Sequence, residues 1–342
     1  MSERIADIAK KLVATGKGIL AADESNSTIK KRFDAIHLES TEENRRDYRE
    51  MLFSDKDAME NYISGVILYD ETIRQKASNG QMLTDLIKAA GSIPGIKVDE
   101  GAKPLALFAN ETITEGLDGL RNRLQEYYQL GARFAKWRAV IAIDSKSLPS
   151  RGAVLQNAQA LARYAALCQE NNIVPIVEPE VLMDGVPGDH SIERCYEVTK
   201  FVLQQVFIAL NDANIALDGM ILKPNMIIDG KNARKASVED VALKTVQCLK
   251  ETVPASVAGI AFLSGGQGDV EATAHLNAMN AIGNLPWPLS FSYGRALQAA
   301  AIKAWDGKAQ NVFAGQNAFT HRAKMNSLAS LGKWSEAAES DK

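Results

Sequence analysis

Met220-Ile221-Leu222-Lys223-Pro224-Asn225 is an apolar strand that ends on a charge. Ile221 and Leu222 suit the interior of a parallel sheet, whose strands read as near-continuous apolar runs because both faces are covered. Pro224 lacks an N–H and closes the strand directly after the lysine. An ammonium held among apolar neighbours loses hydration, which favours the neutral amine. A neutral lysine is a nucleophile that attacks carbonyl carbon and forms a Schiff base. An isolated lysine at a strand end more often snorkels to water. The company Lys223 keeps therefore decides between the two readings.

The pattern of a short apolar run closing on polar residues recurs along the chain. Eight runs stand out: Gly18–Asp23, Ile63–Asp70, Pro104–Ala109, Phe134–Ile141, Ile173–Glu178, Asp218–Lys223, Val257–Ser264 and Leu289–Tyr293. Helical signals lie between them. Ser40-Thr41-Glu42-Glu43 reads as a capping box, and Ser237-Val238-Glu239-Asp240 opens another helix that ends before Pro254. Leu117, Leu120, Leu124 and Tyr127 form a helical stripe within Thr114–Gly131, Ala153–Gln169 is rich in alanine and leucine, and Arg295–Trp305 follows the last strand. Strands alternating with helices predict an α/β fold with a parallel sheet, and eight such units predict a closed (β/α)8 TIM barrel. One catalytic barrel domain is expected over residues 1–331, with a flexible polar tail at 332–342. A doubly wound open sheet would carry a glycine-rich dinucleotide loop after its first strand, and Ala21-Ala22-Asp23-Glu24-Ser25 is not one.

Composition narrows the function. The 342 residues are 46% hydrophobic and carry a formal net charge of -3, which leaves no basic footprint for nucleic acid or a membrane surface. No apolar stretch reaches the length of a membrane span, and the N-terminus has no signal-peptide core. Cys168, Cys195 and Cys248 lie far apart and suggest reduced thiols in a cytoplasmic protein. His37, His190, His275 and His321 form no metal-ligand spacing, so no zinc or iron site is expected; no cofactor is expected either.

Active sites of such barrels are built at the C-terminal strand ends. Charge collects there: Asp23 after strand one, Lys136 and Arg138 in strand four, Glu178-Pro179-Glu180 in strand five, Lys223 in strand six, and Ser292-Tyr293-Gly294-Arg295 at strand eight. One charged residue at a strand end marks only where the sheet meets water. Both signs at several exits strain that reading, because buried charges need partners. Lys136, Glu178 and Lys223 sit on neighbouring strands and supply them to one another. Ser264-Gly265-Gly266-Gln267-Gly268 after strand seven reads as a phosphate cradle of backbone amides, with Gly294 and Arg295 in the adjoining loop to grip the anion. Ser25, Ser27, Thr28, Lys31 and Arg32 suggest a second anion site on the opposite rim. Alone, they read better as a capped helix start.

Six motifs together are specific. Gly18-Ile19-Leu20-Ala21-Ala22-Asp23-Glu24-Ser25, Phe134-Ala135-Lys136-Trp137-Arg138, Ile176-Val177-Glu178-Pro179-Glu180, Leu222-Lys223-Pro224-Asn225-Met226, Phe262-Leu263-Ser264-Gly265-Gly266-Gln267 and Ser292-Tyr293-Gly294-Arg295-Ala296-Leu297-Gln298 resemble class I fructose-bisphosphate aldolase, in order, from about residue 4 to Trp334. The resemblance implies a metal-independent aldehyde-lyase of glycolysis and gluconeogenesis. Such an enzyme cleaves fructose 1,6-bisphosphate to dihydroxyacetone phosphate and glyceraldehyde 3-phosphate through a lysine Schiff base. It implies Lys223 as the nucleophile and Glu178 as the proton shuttle, with Asp23 orienting the substrate and helping to take the C4 hydroxyl proton. Lys136 would balance Glu178, and Glu180 would tune the cluster. Ser264, Gly265, Gly294 and Arg295 would hold the 1-phosphate, with Ser292 also binding substrate and Ser25, Thr28, Lys31, Arg32 and Arg138 toward the 6-phosphate. Members are usually cytoplasmic homotetramers.

Two departures from the family pattern stand out. Val98-Asp99-Glu100-Gly101 carries Glu100 where a lysine is expected against the 6-phosphate, with Lys103 three residues on as the substitute. Animal members end in a tyrosine that assists protonation of the enamine carbon, whereas the last aromatic residue here is Trp334. Either another acid serves that step or the step is slower. The alternatives are a Schiff-base enzyme for another ketose phosphate, such as fructose 1-phosphate or sedoheptulose 1,7-bisphosphate, and a transaldolase or keto-acid aldolase. A non-catalytic barrel scaffold would be expected to have a broken acid–base set.

Overall fold

Two-residue alternation along eight short strands organises the molecule. In a strand, successive side chains point to opposite faces. The computed structural model, described for residues 3–185 and 187–340, closes these strands into a parallel barrel. They are β1 (Gly18–Ala22), β2 (Ile63–Leu68), β3 (Ile93–Lys97), β4 (Phe134–Ile141), β5 (Val174–Val181), β6 (Ile221–Leu222), β7 (Gly259–Phe262) and β8 (Leu289–Tyr293). Each pairs with the next in sequence, and β8 returns to β1. Among the described residues, no helix is long and apolar enough to cross a membrane.

The alternation separates two apolar layers. Ile19, Ala21, Ile67, Phe134, Val174, Ile176, Ile221 and Ala261 point inward and pack together at the barrel floor. Leu20, Ala22, Val66, Leu68, Ala135, Trp137, Val177 and Leu222 point outward into the shell beneath the surrounding helices. Helix Ile5–Leu12 lies across the bottom and adds Ile8, Ala9, Leu12 and the following Val13 to the inner layer. It needs glycines opposite it: a Cβ on Gly259 would lie 2.6 Å from Val13 Cγ2, and one on Gly65 2.8 Å from Leu12 Cδ2. The Ser64 hydroxyl ties the plug down by donating to the Leu12 carbonyl at 2.6 Å.

The third strand differs from expectation. It is Ile93–Lys97, not Pro104–Ala109. Pro94 and Gly95 read as turn residues, yet both are buried in the barrel wall. Gly95 is required because the Phe134 ring fills the space its Cβ would take, 2.3 Å from Cζ. Pro104 ends the short strand Ala102–Pro104, which forms an antiparallel pair with Thr112–Thr114 outside the barrel. That hairpin also takes Thr114 from the expected helix, which runs Leu120–Gln129.

Other boundaries shift less. β5 extends to Val181, so Glu178 and Glu180 lie within the strand, while β6 shrinks to Ile221–Leu222 after a single 3-10 turn, Leu217–Gly219. Thr41 rather than Ser40 caps Glu42–Phe53 by accepting from the Asn44 N–H, and Ser237 caps Val238–Thr252 by accepting from the Asp240 N–H. In the polar C-terminal segment, Glu339 accepts from Trp334 Nε1 at 2.8 Å and pairs with Arg322.

Candidate active site

The inward register of the floor continues upward into charge. Two residues beyond Ala21 comes Asp23, and two beyond Phe134 come Lys136 and then Arg138. Glu178 and Glu180 follow Val174 and Ile176, Lys223 follows Ile221, and Lys97 closes the same face of β3 as Ile93. The strand period thus stacks a charged layer directly on an apolar one.

That layer is a chain of ion contacts. Lys223 Nζ lies 3.3 Å from Glu178 Oε1. Glu178 Oε2 lies 3.6 Å from Lys136 Nζ. Lys136 reaches Asp23 Oδ2 at 2.8 Å and Asp99 Oδ2 at 3.8 Å, and Asp99 Oδ1 lies 3.3 Å from Lys97 Nζ. Lys136, Glu178, Asp99 and Lys223 are all buried. Burial opposes the charge on Lys136, but Asp23, Glu178 and Asp99 outweigh it and raise its pKa above the ordinary lysine value. Burial alone would raise the Asp23 carboxyl; Lys136, then Lys223 and Lys97, reverse that and hold it at about 2. Glu180 pairs with Arg138, where charge pairing likewise overcomes burial and raises the guanidinium.

The fifteen residues given catalytic or substrate-binding roles by the resemblance line one open cavity of about 610 Å³ at the C-terminal strand ends, which Ser27 and Lys103 do not reach. These are Asp23, Lys136, Glu178, Glu180 and Lys223, then Ser264, Gly265, Ser292, Gly294, Arg295, Arg138, Ser25, Thr28, Lys31 and Arg32. The Ser292 hydroxyl is buried and has no hydrogen-bond partner among the described residues. Arg295 Nη2 donates to the Gly265 carbonyl at 2.8 Å, joining the two turns of the expected phosphate cradle. Gly294 opens helix Arg295–Trp305 with no side-chain cap, leaving that N-terminus to an anion.

Two details of the rim differ from expectation. The loop after β1 adjoins the cradle instead of facing it, because β1 is hydrogen-bonded to β8. Arg32 Nη2 lies 3.7 Å from where a Cβ on Gly294 would stand. The cations across the barrel from the cradle are Arg138 and Lys97. Lys97 and Asp99 stand at the exit of Ile93–Lys97, a strand that the turn-like Pro94 and Gly95 disguise in the sequence. Glu100 turns out of the cavity toward Arg123, 3.5 Å away, and Lys103 lies exposed on the hairpin outside it.

A buried amine against a carboxylate, beside an uncapped helix end and a glycine turn, defines a barrel enzyme for anionic carbonyl substrates. The sequence profile of fructose-bisphosphate aldolase class-I matches residues 4–342. A probable fructose-bisphosphate aldolase class 1 of Xanthomonas campestris pv. campestris is 58% identical over 97% of this chain and 98% of its own. The fructose-bisphosphate aldolase of Dictyostelium discoideum is 53% identical over 98% of this chain and 94% of its own. A crystal structure of the Plasmodium falciparum aldolase, in complex with TRAP and a small-molecule inhibitor, superposes with a TM-score of 0.94. It is 50% identical and covers 97% of this chain and 95% of its own. The chain belongs to the class I fructose-bisphosphate aldolase family.

The low value for Asp23 has a thermodynamic consequence. A carboxylate depressed in the folded state stabilises it above the unfolded value, roughly pH 4, and that contribution is lost as pH falls through the folded value of about 2. Urea unfolding of the wild type and Asp23→Asn is expected to show a gap on the order of 2 kcal/mol at pH 5. The gap narrows as pH falls from about 4 toward 2; a gap independent of pH across that window contradicts the assignment.

Proposed function

We propose that this chain catalyses the reversible aldol cleavage of fructose 1,6-bisphosphate through a Schiff base on Lys223. The observation that carries this reading is the unequal pairing of two buried lysines. Among the described residues, Lys136 faces three carboxylates and Lys223 faces one. Lys136 is the amine whose charge is most heavily paired, and Lys223, set against the single carboxylate Glu178, is the one placed to act as the nucleophile.

The Lys223 amine attacks the C2 ketone, and the ketone oxygen takes up a proton to give a carbinolamine. Glu178, within reach of Lys223, takes the proton that the attacking nitrogen sheds and returns it to the hydroxyl, which departs as water and leaves a protonated imine. That imine accepts the electron pair of the C3–C4 bond and becomes an enamine as the C4 hydroxyl loses its proton and glyceraldehyde 3-phosphate departs. Asp23 orients the C4 hydroxyl and helps to take its proton, while Lys136 stays charged between Asp23 and Glu178. One proton delivered to the enamine C3 balances the one taken from the C4 hydroxyl, and return of water to the imine then releases dihydroxyacetone phosphate and free Lys223. Glu180 holds Arg138 in place at the far side.

The two ends of the cavity favour a bisphosphate over a ketose monophosphate. Ser264, Gly265, Ser292, Gly294 and Arg295 form a cradle at one end, and Lys97 and Arg138 supply cations across the barrel, with Ser25, Thr28, Lys31 and Arg32 along the side. Glu100, the residue that would repel a distal phosphate, faces away. A homotetramer fits the exposed Ile208 and Leu243 on the adjacent helices Ile192–Asp212 and Val238–Thr252, an apolar surface for a second copy to cover. A reducing cytoplasm fits the three buried free cysteines.

Borohydride added with dihydroxyacetone phosphate is expected to label Lys223 covalently, as read by peptide mass spectrometry, and chelators are expected to leave activity intact. An unlabelled, chelator-sensitive enzyme sinks the Schiff-base reading. Steady-state kcat/KM for fructose 1,6-bisphosphate is expected to exceed that for fructose 1-phosphate by about tenfold or more, since charge-assisted contacts to the second phosphate contribute roughly 1.5–3 kcal/mol. Equal values would remove the distal site. Sedimentation at micromolar concentration reads the assembly: a monomer refutes the tetramer.

A further inference from the structure

Ser264-Gly265-Gly266-Gln267-Gly268 joins β7 to helix Asp269–Ile282 through a glycine pair, of which Gly265 sits in the left-handed region and Gly266 packs under the Met183 side chain. Gly265 has φ +57, and a Cβ on Gly266 would lie 2.1 Å from Met183 Cε. Glycine backbone rotates easily, so which way each peptide of this turn faces is not fixed by the turn itself. The direction matters for an anion. An N–H turned into the cavity attracts it, and a carbonyl in the same place repels it.

The carbonyl and N–H of one trans peptide point in opposite directions. The Ser264 carbonyl accepts from Gln267 Nε2 at 3.0 Å and from the Gln267 backbone N–H at 3.2 Å. Pinning that carbonyl toward Gln267 turns the Gly265 N–H to the other side, and it has no hydrogen-bond partner among the described residues. The next carbonyl, that of Gly265, is held by Arg295. The turn is therefore tethered at successive peptides, once by a residue that lines the cavity and once by Gln267, which is hidden from it.

Gln267 Nε2 also donates to Met226 Sδ at 3.6 Å, and the partner of its oxygen is His275, two helical turns on. Its Nδ1 lies 2.6 Å from Gln267 Oε1. A carbonyl only accepts, so the amide nitrogen of Gln267 must face Ser264 and its oxygen must face His275. That oxygen also only accepts, so His275 Nδ1 carries the proton. Burial, opposed by Glu271 and aided by Lys235, pushes the His275 pKa down to about 4. The neutral ring then has one N–H, and Gln267 receives it.

We infer that His275 is a positioning residue for the phosphate turn, acting through Gln267 to keep the Gly265 N–H facing the cavity and so setting affinity at the 1-phosphate end. The inference rests on the proposed reading of that turn. In the condensation direction the two phosphates arrive on separate molecules, which isolates the effect. His275→Leu is expected to raise KM for dihydroxyacetone phosphate about 5- to 20-fold, the loss of one buried hydrogen bond. KM for glyceraldehyde 3-phosphate and kcat are expected to stay within about twofold.

His275→Asn, whose Nδ2 occupies the place of Nδ1, is expected to restore KM to within about threefold of the wild type. Gln267→Met, similar in volume but without donor or acceptor, is expected to reproduce His275→Leu, and the double variant to be no worse than either. Should His275→Leu fail to fold, Gln267→Met and His275→Asn give the same comparison. A KM for dihydroxyacetone phosphate within twofold of wild type in these donor-deleted variants overturns the inference. So do equal rises for both substrates, or additive effects in the double variant. A wild type that forms no borohydride adduct and cleaves no ketose phosphate refutes the functional reading instead.

Discussion

Three ammonium groups and three carboxylates share the upper barrel, and their balance constrains everything around them. Lys223, Glu178, Lys136, Asp99 and Lys97 form a line of alternating sign, with Asp23 attached at Lys136. Buried charge is tolerated only when paired, and removing one partner strands the other. The balance also suits the proposed chemistry. A protonated imine carries the same positive charge as the ammonium it replaces, so Glu178 keeps its partner from the resting state to the intermediate. The larger excursion, a neutral amine at Lys223, leaves the cluster one positive charge short, and Lys136 is already committed to three carboxylates.

The barrel makes such a cluster possible by the way it is layered. The same inward register that places Ile19, Phe134, Ile176 and Ile221 on the floor delivers Asp23, Lys136, Glu178 and Lys223 above it. Lys136 and Glu178 are fixed by hydrogen-bonded register within their strands, and Asp23 and Lys223 stand one residue beyond theirs, where the Lys223 N–H still donates to the Val177 carbonyl at 2.8 Å. The pairing of Lys97 with Lys136 and of Arg138 with Glu178 across adjacent strands is one such register. The loops carry the adaptable part, the proposed anion contacts, and even there Arg295 and Gln267 tie the backbone down.

Much of this was legible in the sequence for a physical reason. Lys223, Glu178, Lys136 and Asp23 are conspicuous because each interrupts an apolar run, and a parallel barrel strand has few other reasons to end on charge. Lys97 and Asp99 interrupt a run that does not look like one: Pro94 and Gly95 carry turn signals, and only the Phe134 ring, distant in sequence, explains the glycine. Glu100 looked like a defect in the distal site because sequence cannot show that its carboxylate turns toward Arg123. The link from His275 to Gln267 to Ser264 was invisible for a related cause. It is a chain of hydrogen-bond directions, and direction is set by geometry that no spacing rule encodes.

The plug at the bottom has a consequence for how the molecule is made. Helix Ile5–Leu12 precedes every strand it seals, whereas part of its seat, Ile221 and Ala261, lies more than two hundred residues later. During synthesis the apolar face formed by Ile8, Ala9 and Leu12 therefore leaves the ribosome long before its socket exists. At 5–20 residues per second that wait is on the order of ten seconds or more. The segment that finishes the floor is thus a candidate client for chaperones in the nascent chain, and the barrel can lock only when its last strands arrive to enclose its first helix.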